Sequence, residues 1–131
     1  PVPRLLTEPR VAAELIADGF HVAEEVLRMA FAAGGPDGVV LVTDAMVAAG
    51  MPDGAYRLGS LAVQVVDGQA RLETADGSLG SIAGSTLTTG RAFALVVGLT
   101  GDLPAAARLA STNAARHFGL EHQFIDIDNP A

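Results

Sequence analysis

Val39-Val40-Leu41-Val42-Thr43-Asp44 is an unbroken, β-branched-rich apolar run that stops at an acidic residue. A strand that is apolar at every position, rather than at alternate ones, suits a parallel sheet covered on both faces. Just before it, Gly34-Gly35-Pro36-Asp37-Gly38 is a cluster that cannot sustain a helix, so a turn leads into the strand. Further upstream, the stretch from Val22 to Ala33 places Val22, Val26, Met29 and Ala30 beside Ala23, Leu27 and Phe31 on one stripe. Glu24, Glu25 and Arg28 are turned away, which predicts an amphipathic helix. Val11 to Ala17, ended by Asp18-Gly19, reads as an earlier strand with a helical turn before it at Pro9-Arg10. Strand, helix and strand form a βαβ unit, and the fold class is α/β.

Downstream the character changes. Leu61-Ala62-Val63-Gln64-Val65-Val66 and Gln69-Ala70-Arg71-Leu72-Glu73 flank Asp67-Gly68, the dipeptide of a tight hairpin turn, so an antiparallel excursion follows the parallel unit. Asp76-Gly77 and the stretch from Gly80 to Ser85 read as a glycine-rich loop, which offers backbone N–H groups to a phosphate or sugar oxygen or simply turns the chain. Thr88 to Val97 is helical in pattern, and Asp102-Leu103-Pro104 suits the start of a helix through Leu109. Ser111-Thr112-Asn113 is expected to cap a last helix running to Phe118 and closed by Gly119. The tail from Phe124 alternates apolar and acidic residues, as a short strand does. No repeat, low-complexity tract or linker divides residues 1–131, which read as a single domain.

Composition narrows the chemistry. Half of the 131 residues are hydrophobic, enough for a core, yet no run of about 18 uninterrupted apolar residues predicts a membrane span. Pro1-Val2-Pro3-Arg4 has no basic stretch leading into an apolar one, so no secretory signal is marked and a cytoplasmic location is expected. Zero cysteines exclude disulfides and thiolate ligands, leaving His and carboxylate as the strong metal ligands. A net charge of −7 argues against nucleic acid as a partner. All basic residues are Arg, which excludes Schiff-base lysine chemistry while leaving a planar fork for phosphate.

Two candidate groups share one architecture: His21, in Asp18-Gly19-Phe20-His21, follows the first strand, and Asp44 ends the second. Side chains at the carboxyl ends of neighbouring parallel strands face one cleft, where a carboxylate can move a proton and an imidazole can hydrogen-bond substrate oxygens. An Asp after a buried strand also serves as a turn or cap residue, and a His after Asp-Gly as a solvated turn residue. The residues alone leave both readings open. His117 and His122 read as surface or helix-end residues, and no His pair has metal-ligand spacing.

Five ordered blocks then carry a resemblance: Leu15 to Val22 (LIADGFHV), Leu41 to Met46 (LVTDAM), Gly50 to Gly54 with Tyr56-Arg57-Leu58-Gly59, Ala83 to Thr88 (AGSTLT), and Ala110-Ser111-Thr112-Asn113. In this order and spacing the chain resembles N-acetylglucosamine-6-phosphate deacetylase, over roughly Pro9 to Leu120. The resemblance implies the C-terminal part of a metal-dependent (β/α)8 barrel with an antiparallel hairpin insertion at about residues 55–84. It implies hydrolysis of the N-acetyl group of N-acetylglucosamine 6-phosphate, giving glucosamine 6-phosphate and acetate. Asp44 matches the catalytic aspartate. Asp18, Gly19, Phe20 and His21 match a substrate-contacting segment, and Ile82, Ala83 and Gly84 a substrate-contacting loop. The divalent metal, zinc or similar, is held in that family by a glutamate and two histidines that match no position here. The chain alone is therefore expected to bind no metal and to be inactive. Thr89-Gly90-Arg91 and Ala114 also depart from the family's usual residues, and the tail lacks its Gly-x-x-Ala-Asp-Leu pattern. A bare part-barrel exposes sheet edges, so a second copy of the chain or the absent N-terminal half is an expected partner. The rival expectation is a non-catalytic α/β remnant that binds a sugar phosphate or only packs.

Overall fold

The described residues fold around two hydrophobic clusters. The computed structural model describes residues 2–120, so His122 and the acidic tail lie outside the described residues. A short helix α1 (Val2–Leu6) precedes β1 (Ala13–Ile16), α2 (Glu24–Gly34) and β2 (Val39–Val42). Pro9-Arg10 is a turn rather than a helix. β1 and β2 pair in parallel, Ala13 opposite Val39 through Ile16 opposite Val42, so the βαβ unit is present. On α2, Leu27 and Ala30 are buried, whereas Val26 and Met29 stand 46% and 54% exposed. The helix meets the core along a narrower stripe than its apolar pattern predicts. Gly38 permits the tight entry to β2, because a Cβ there would lie 2.3 Å from the Gly34 carbonyl oxygen.

The antiparallel region is larger than one hairpin. β3 (Gly54–Leu58), β4 (Leu61–Val66), β5 (Gln69–Glu73) and β6 (Leu79–Ile82) form a four-stranded meander in sequence order. The start of the expected glycine-rich loop is thus a strand. Gly80 and Ile82 lie in β6, the Ala83 amide donates to the Ala70 carbonyl at 3.0 Å, and the Ser85 amide is also engaged, so this stretch is no open cradle of N–H groups. Paired residues Tyr56, Val63 and Leu72, with Val65 and Ala70, put one sheet face against Met46, Ala48 and Ala83. The opposite face carries Gln64 and Arg71. This one-sided burial is the usual economy of an antiparallel sheet. At the β4–β5 turn Asp67 and Gly68 have φ of 51° and 74°, as the sequence signature requires. The Asp53 carboxylate accepts from both of their amides, at 2.6 and 3.0 Å.

Helix α3 (Thr89–Thr100) begins at Thr88, whose hydroxyl accepts from the Arg91 amide. α4 (Leu103–Ala107) begins at Asp102, whose carboxylate accepts from the Ala105 amide at 2.8 Å. No new helix starts at Ser111-Thr112-Asn113. The chain stays helical through a π-helical turn (Arg108–Thr112) into α5 (Asn113–His117), without a side-chain cap. Gly119, at φ 69°, closes it: its amide donates to Arg116 and the Leu120 amide to Ala115. Instead of capping, Asn113 is buried and its amide donates to the carbonyls of Pro36 and Val39, at 2.9 and 2.8 Å, tying α5 to the start of β2. Ala17, Leu27, Val39, Leu41, Leu87, Val96 and Leu109 fill the core between the parallel strands and these helices.

Asn113→Ala leaves two carbonyls short of a donor, and it should lower stability by about 2 kcal/mol. Ser111→Ala, at an exposed position that caps nothing, should change it by less than about 0.5 kcal/mol. Urea unfolding of the two variants checks both; equal losses would restore the capping interpretation.

Candidate active site

Two chain segments cross between the clusters side by side. Leaving β2, the chain passes through Asp44 and Ala45 to the buried Met46; leaving β6, it passes through Gly84 and Ser85 to the buried Leu87. The crossings are joined by a parallel bridge, Ala45 opposite Ser85. The Ser85 amide donates to the Asp44 carbonyl at 2.8 Å, and the Met46 amide donates to the Ser85 carbonyl at 2.9 Å. Approach is close enough to demand glycine at position 84, where φ is 69° and a Cβ would lie 3.1 Å from the Asp44 carbonyl oxygen. Asp44 itself holds a left-handed φ of 48°, unusual for a non-glycine residue, with its side chain exposed just past the carboxyl end of β2.

Beyond the end of β1, Asp18 organises the neighbouring loop. Its Oδ1 accepts from the amides of Phe20 and His21, each at 2.9 Å. Its Oδ2 accepts from the Ser85 hydroxyl at 2.8 Å and lies 2.7 Å from His21 Nδ1. The Asp18 side chain is 6% exposed and that of His21 21%. Burial opposes ionisation of Asp18, but the His21 and Phe20 amides, the Ser85 hydroxyl and the His21 ring outweigh it and hold the carboxyl below the usual range.

Asp18, Phe20, His21, Ile82, Gly84 and Ser85 line one narrow crevice, so the structure brings the two expected substrate segments together. Not every expected residue meets there. Ala83 is buried in the second cluster, and Gly19 sits in the turn at φ 82° outside the lining. Asp44 stands beside the crevice, coupled to it through Ser85. Ser85 and Thr86, which the sequence shows only as members of the Ala83–Thr88 block, have side-chain roles that it did not assign. The Thr86 hydroxyl donates to the Gly68 carbonyl and pins the hairpin tip against the same place. His117 lies in the last turn of α5, exposed and edge-on to Phe118. Among the described residues no three His, Cys, Asp or Glu come together to hold a metal ion. None of their helices is long and apolar enough to cross a membrane.

No family model matches the chain. It is similar to N-acetylgalactosamine-6-phosphate deacetylase of Escherichia coli O157:H7, at 44% identity over 88% of this chain and 29% of the relative. N-acetylglucosamine-6-phosphate deacetylase of Lysinibacillus sphaericus is 40% identical over 86% of this chain and 28% of its own length. Among solved structures, N-acetyl-D-glucosamine-6-phosphate deacetylase of Mycobacterium smegmatis, an aspartate-to-alanine mutant in complex with N-acetyl-D-glucosamine-6-phosphate, superimposes with a TM-score of 0.82. Identity there is 42%, over 92% of this chain and 32% of that one. The Thermotoga maritima enzyme gives 0.78 at 39% identity, over 90% and 31%. The α/β chain with its antiparallel sheet is similar over most of its length to sugar-phosphate deacetylases. It belongs to the N-acetylglucosamine-6-phosphate deacetylase family, and it spans about 30% of the length of these relatives.

Two outcomes follow from the crossing and from Asp18. Gly84→Ala should destabilise the chain by about 2 kcal/mol, through the left-handed backbone and the contact with Asp44, as read by urea unfolding. Below about pH 4 the unfolded chain binds the proton that folded Asp18 refuses, so stability is full above that pH and falls as acid protonates the folded carboxyl. Asp76, lowered to about 2 by the Thr74 and Ser78 hydroxyls, acts in the same window. Asp18→Asn should therefore reduce, without abolishing, the fall of the urea midpoint as pH drops below about 4; an unchanged slope contradicts this assignment.

Proposed function

We propose that the chain is the C-terminal part of a (β/α)8-barrel deacetylase that removes the N-acetyl group of N-acetylglucosamine 6-phosphate. The observation that carries this is the placement of Asp44 and His21 beyond the carboxyl ends of adjacent parallel strands, linked through Asp18 and Ser85. In barrels and open parallel sheets alike, that end holds the chemistry. β1 and β2 would be the last two barrel strands, and they have no other strand beside them among the described residues.

In this reading Asp44, whose exposed carboxylate has no hydrogen bond competing for it among the described contacts, takes a proton from the water that attacks the acetyl carbonyl. As the C–N bond breaks, Asp44 returns a proton to the leaving amine, and acetate and glucosamine 6-phosphate result. The sugar phosphate would lie over the outward faces of His21 and Phe20, beside the stretch of Ile82 and Gly84, because the crevice between them has no room for a water. The described side chains do not fit a zinc or similar divalent ion, so such an ion would take its ligands from outside them. The partner that completes the site would be the N-terminal part of the barrel, or a second copy of the chain covering the same edges. Relatives acting by name on the galactosamine and on the glucosamine ester are 44% and 40% identical, so the C4 epimer is a real competitor as substrate.

The test is a chimera in which this chain replaces the matching stretch of the Lysinibacillus sphaericus relative. It should release acetate from N-acetylglucosamine 6-phosphate, and Asp44→Asn should lower kcat by about 10³-fold, within the range for a positioned acid–base group. The isolated chain with added zinc should release none. A folded chimera that turns over neither epimer favours the packing remnant, and a faster reaction with the galactosamine ester corrects the substrate.

A further inference from the structure

The Asp18 carboxylate has no acceptor position left for a ligand. Oδ1 is occupied by two backbone amides, and Oδ2 by the Ser85 hydroxyl and the His21 ring. With its side chain 6% exposed, it is also shielded from approach. An ionised carboxylate only accepts hydrogen bonds, so the hydrogen in the 2.7 Å contact belongs to His21 Nδ1.

We propose that Asp18 is a positioning residue that fixes His21 in the tautomer protonated at Nδ1, so that Nε2 is the ring atom presented to substrate. This rests on the reading of His21 as substrate-facing and deepens it. In either charge state Nε2 is what remains for a ligand: a lone pair on the neutral ring, a hydrogen on the cation. Three of the four donors on Asp18 come from groups other than the ring: two local amides fix Oδ1 and Ser85 fixes Oδ2, so the carboxylate cannot turn away from the imidazole. Ser85 is buried and held by its own backbone bridge to the β2 exit, so the ring's orientation is keyed to the position of Asp44.

Asp18→Asn offers a sharp test. The two amides that meet Oδ1 require an acceptor there, which places the new NH2 group where Oδ2 was, facing Nδ1. The ring must then accept at Nδ1 and carry its hydrogen on Nε2. Long-range ¹H–¹⁵N correlation spectra of the 131-residue chain at about pH 8.5, well above the ordinary imidazole value, report the tautomer directly. Signals are assigned by their loss in His21→Phe. The expected result is a protonated Nδ1 in the wild type and the reverse in Asp18→Asn. A wild-type ring protonated at Nε2 overturns the proposal, as does a folded Asp18→Asn variant that keeps the wild-type tautomer. If Asp18→Asn does not fold, the wild-type spectrum decides alone. Failure of the deacetylase reading shows instead as a folded chimera without acetate release, with the tautomer unaffected.

Discussion

The parallel bridge between Ala45 and Ser85 is the constraint on which the rest of the structure depends. The described residues form two cores, one under the parallel strands and one under the antiparallel sheet, and among them only these two segments run from the first to the second and back. Hydrogen-bonding the crossings to one another satisfies backbone groups that would otherwise be buried without partners. It also fixes where Asp44 stands relative to the crevice. The left-handed Asp44 and the glycine at 84 are the local concessions this close approach requires.

Electrostatics follows the same geometry. Asp18 is a carboxylate largely withdrawn from water whose charge is met by four donors drawn from its own loop and from the second crossing. Such a group is tolerable only while every donor is in place, because a buried charge missing a partner costs far more than the pairing contributes. The loop after β1 is therefore held in place by residues whose side chains face inward, leaving Phe20 and part of His21 outward.

Much of this was legible in the residues, and the exceptions have physical causes. The continuous apolar run to Asp44 and the Asp67-Gly68 turn are local signals, and the strands they predict are present. β3 and β6 were not legible: Gly54-Ala55-Tyr56-Arg57-Leu58 and Leu79-Gly80-Ser81-Ile82 have little strand propensity, and they are extended because β4 and β5 supply partners. Ser111-Thr112-Asn113 mimics a cap, but the carbonyls of Pro36 and Val39 compete for Asn113 from across the fold. The family blocks named His21, Ile82 and Gly84, and these three residues line one crevice. The role of the Ser85 hydroxyl was not legible because its partner Asp18 is 67 residues away, a distance over which no periodicity carries information.

The four-stranded meander has a kinetic consequence. Each of its strands pairs with the next in sequence, so it assembles from contacts of short separation, the kind that form fastest. Once formed, it fixes Gly54 and Ile82 at the same end of the sheet, three strand spacings apart. The long loop that the bridge between Ala45 and Ser85 must close becomes, in effect, a short one. A segment that reads as an excursion from the parallel fold is thus the chain's own template for closing it. Substitutions that slow hairpin formation at Asp67-Gly68 act at a distance on how quickly the loops bearing Asp18 and Asp44 come into register.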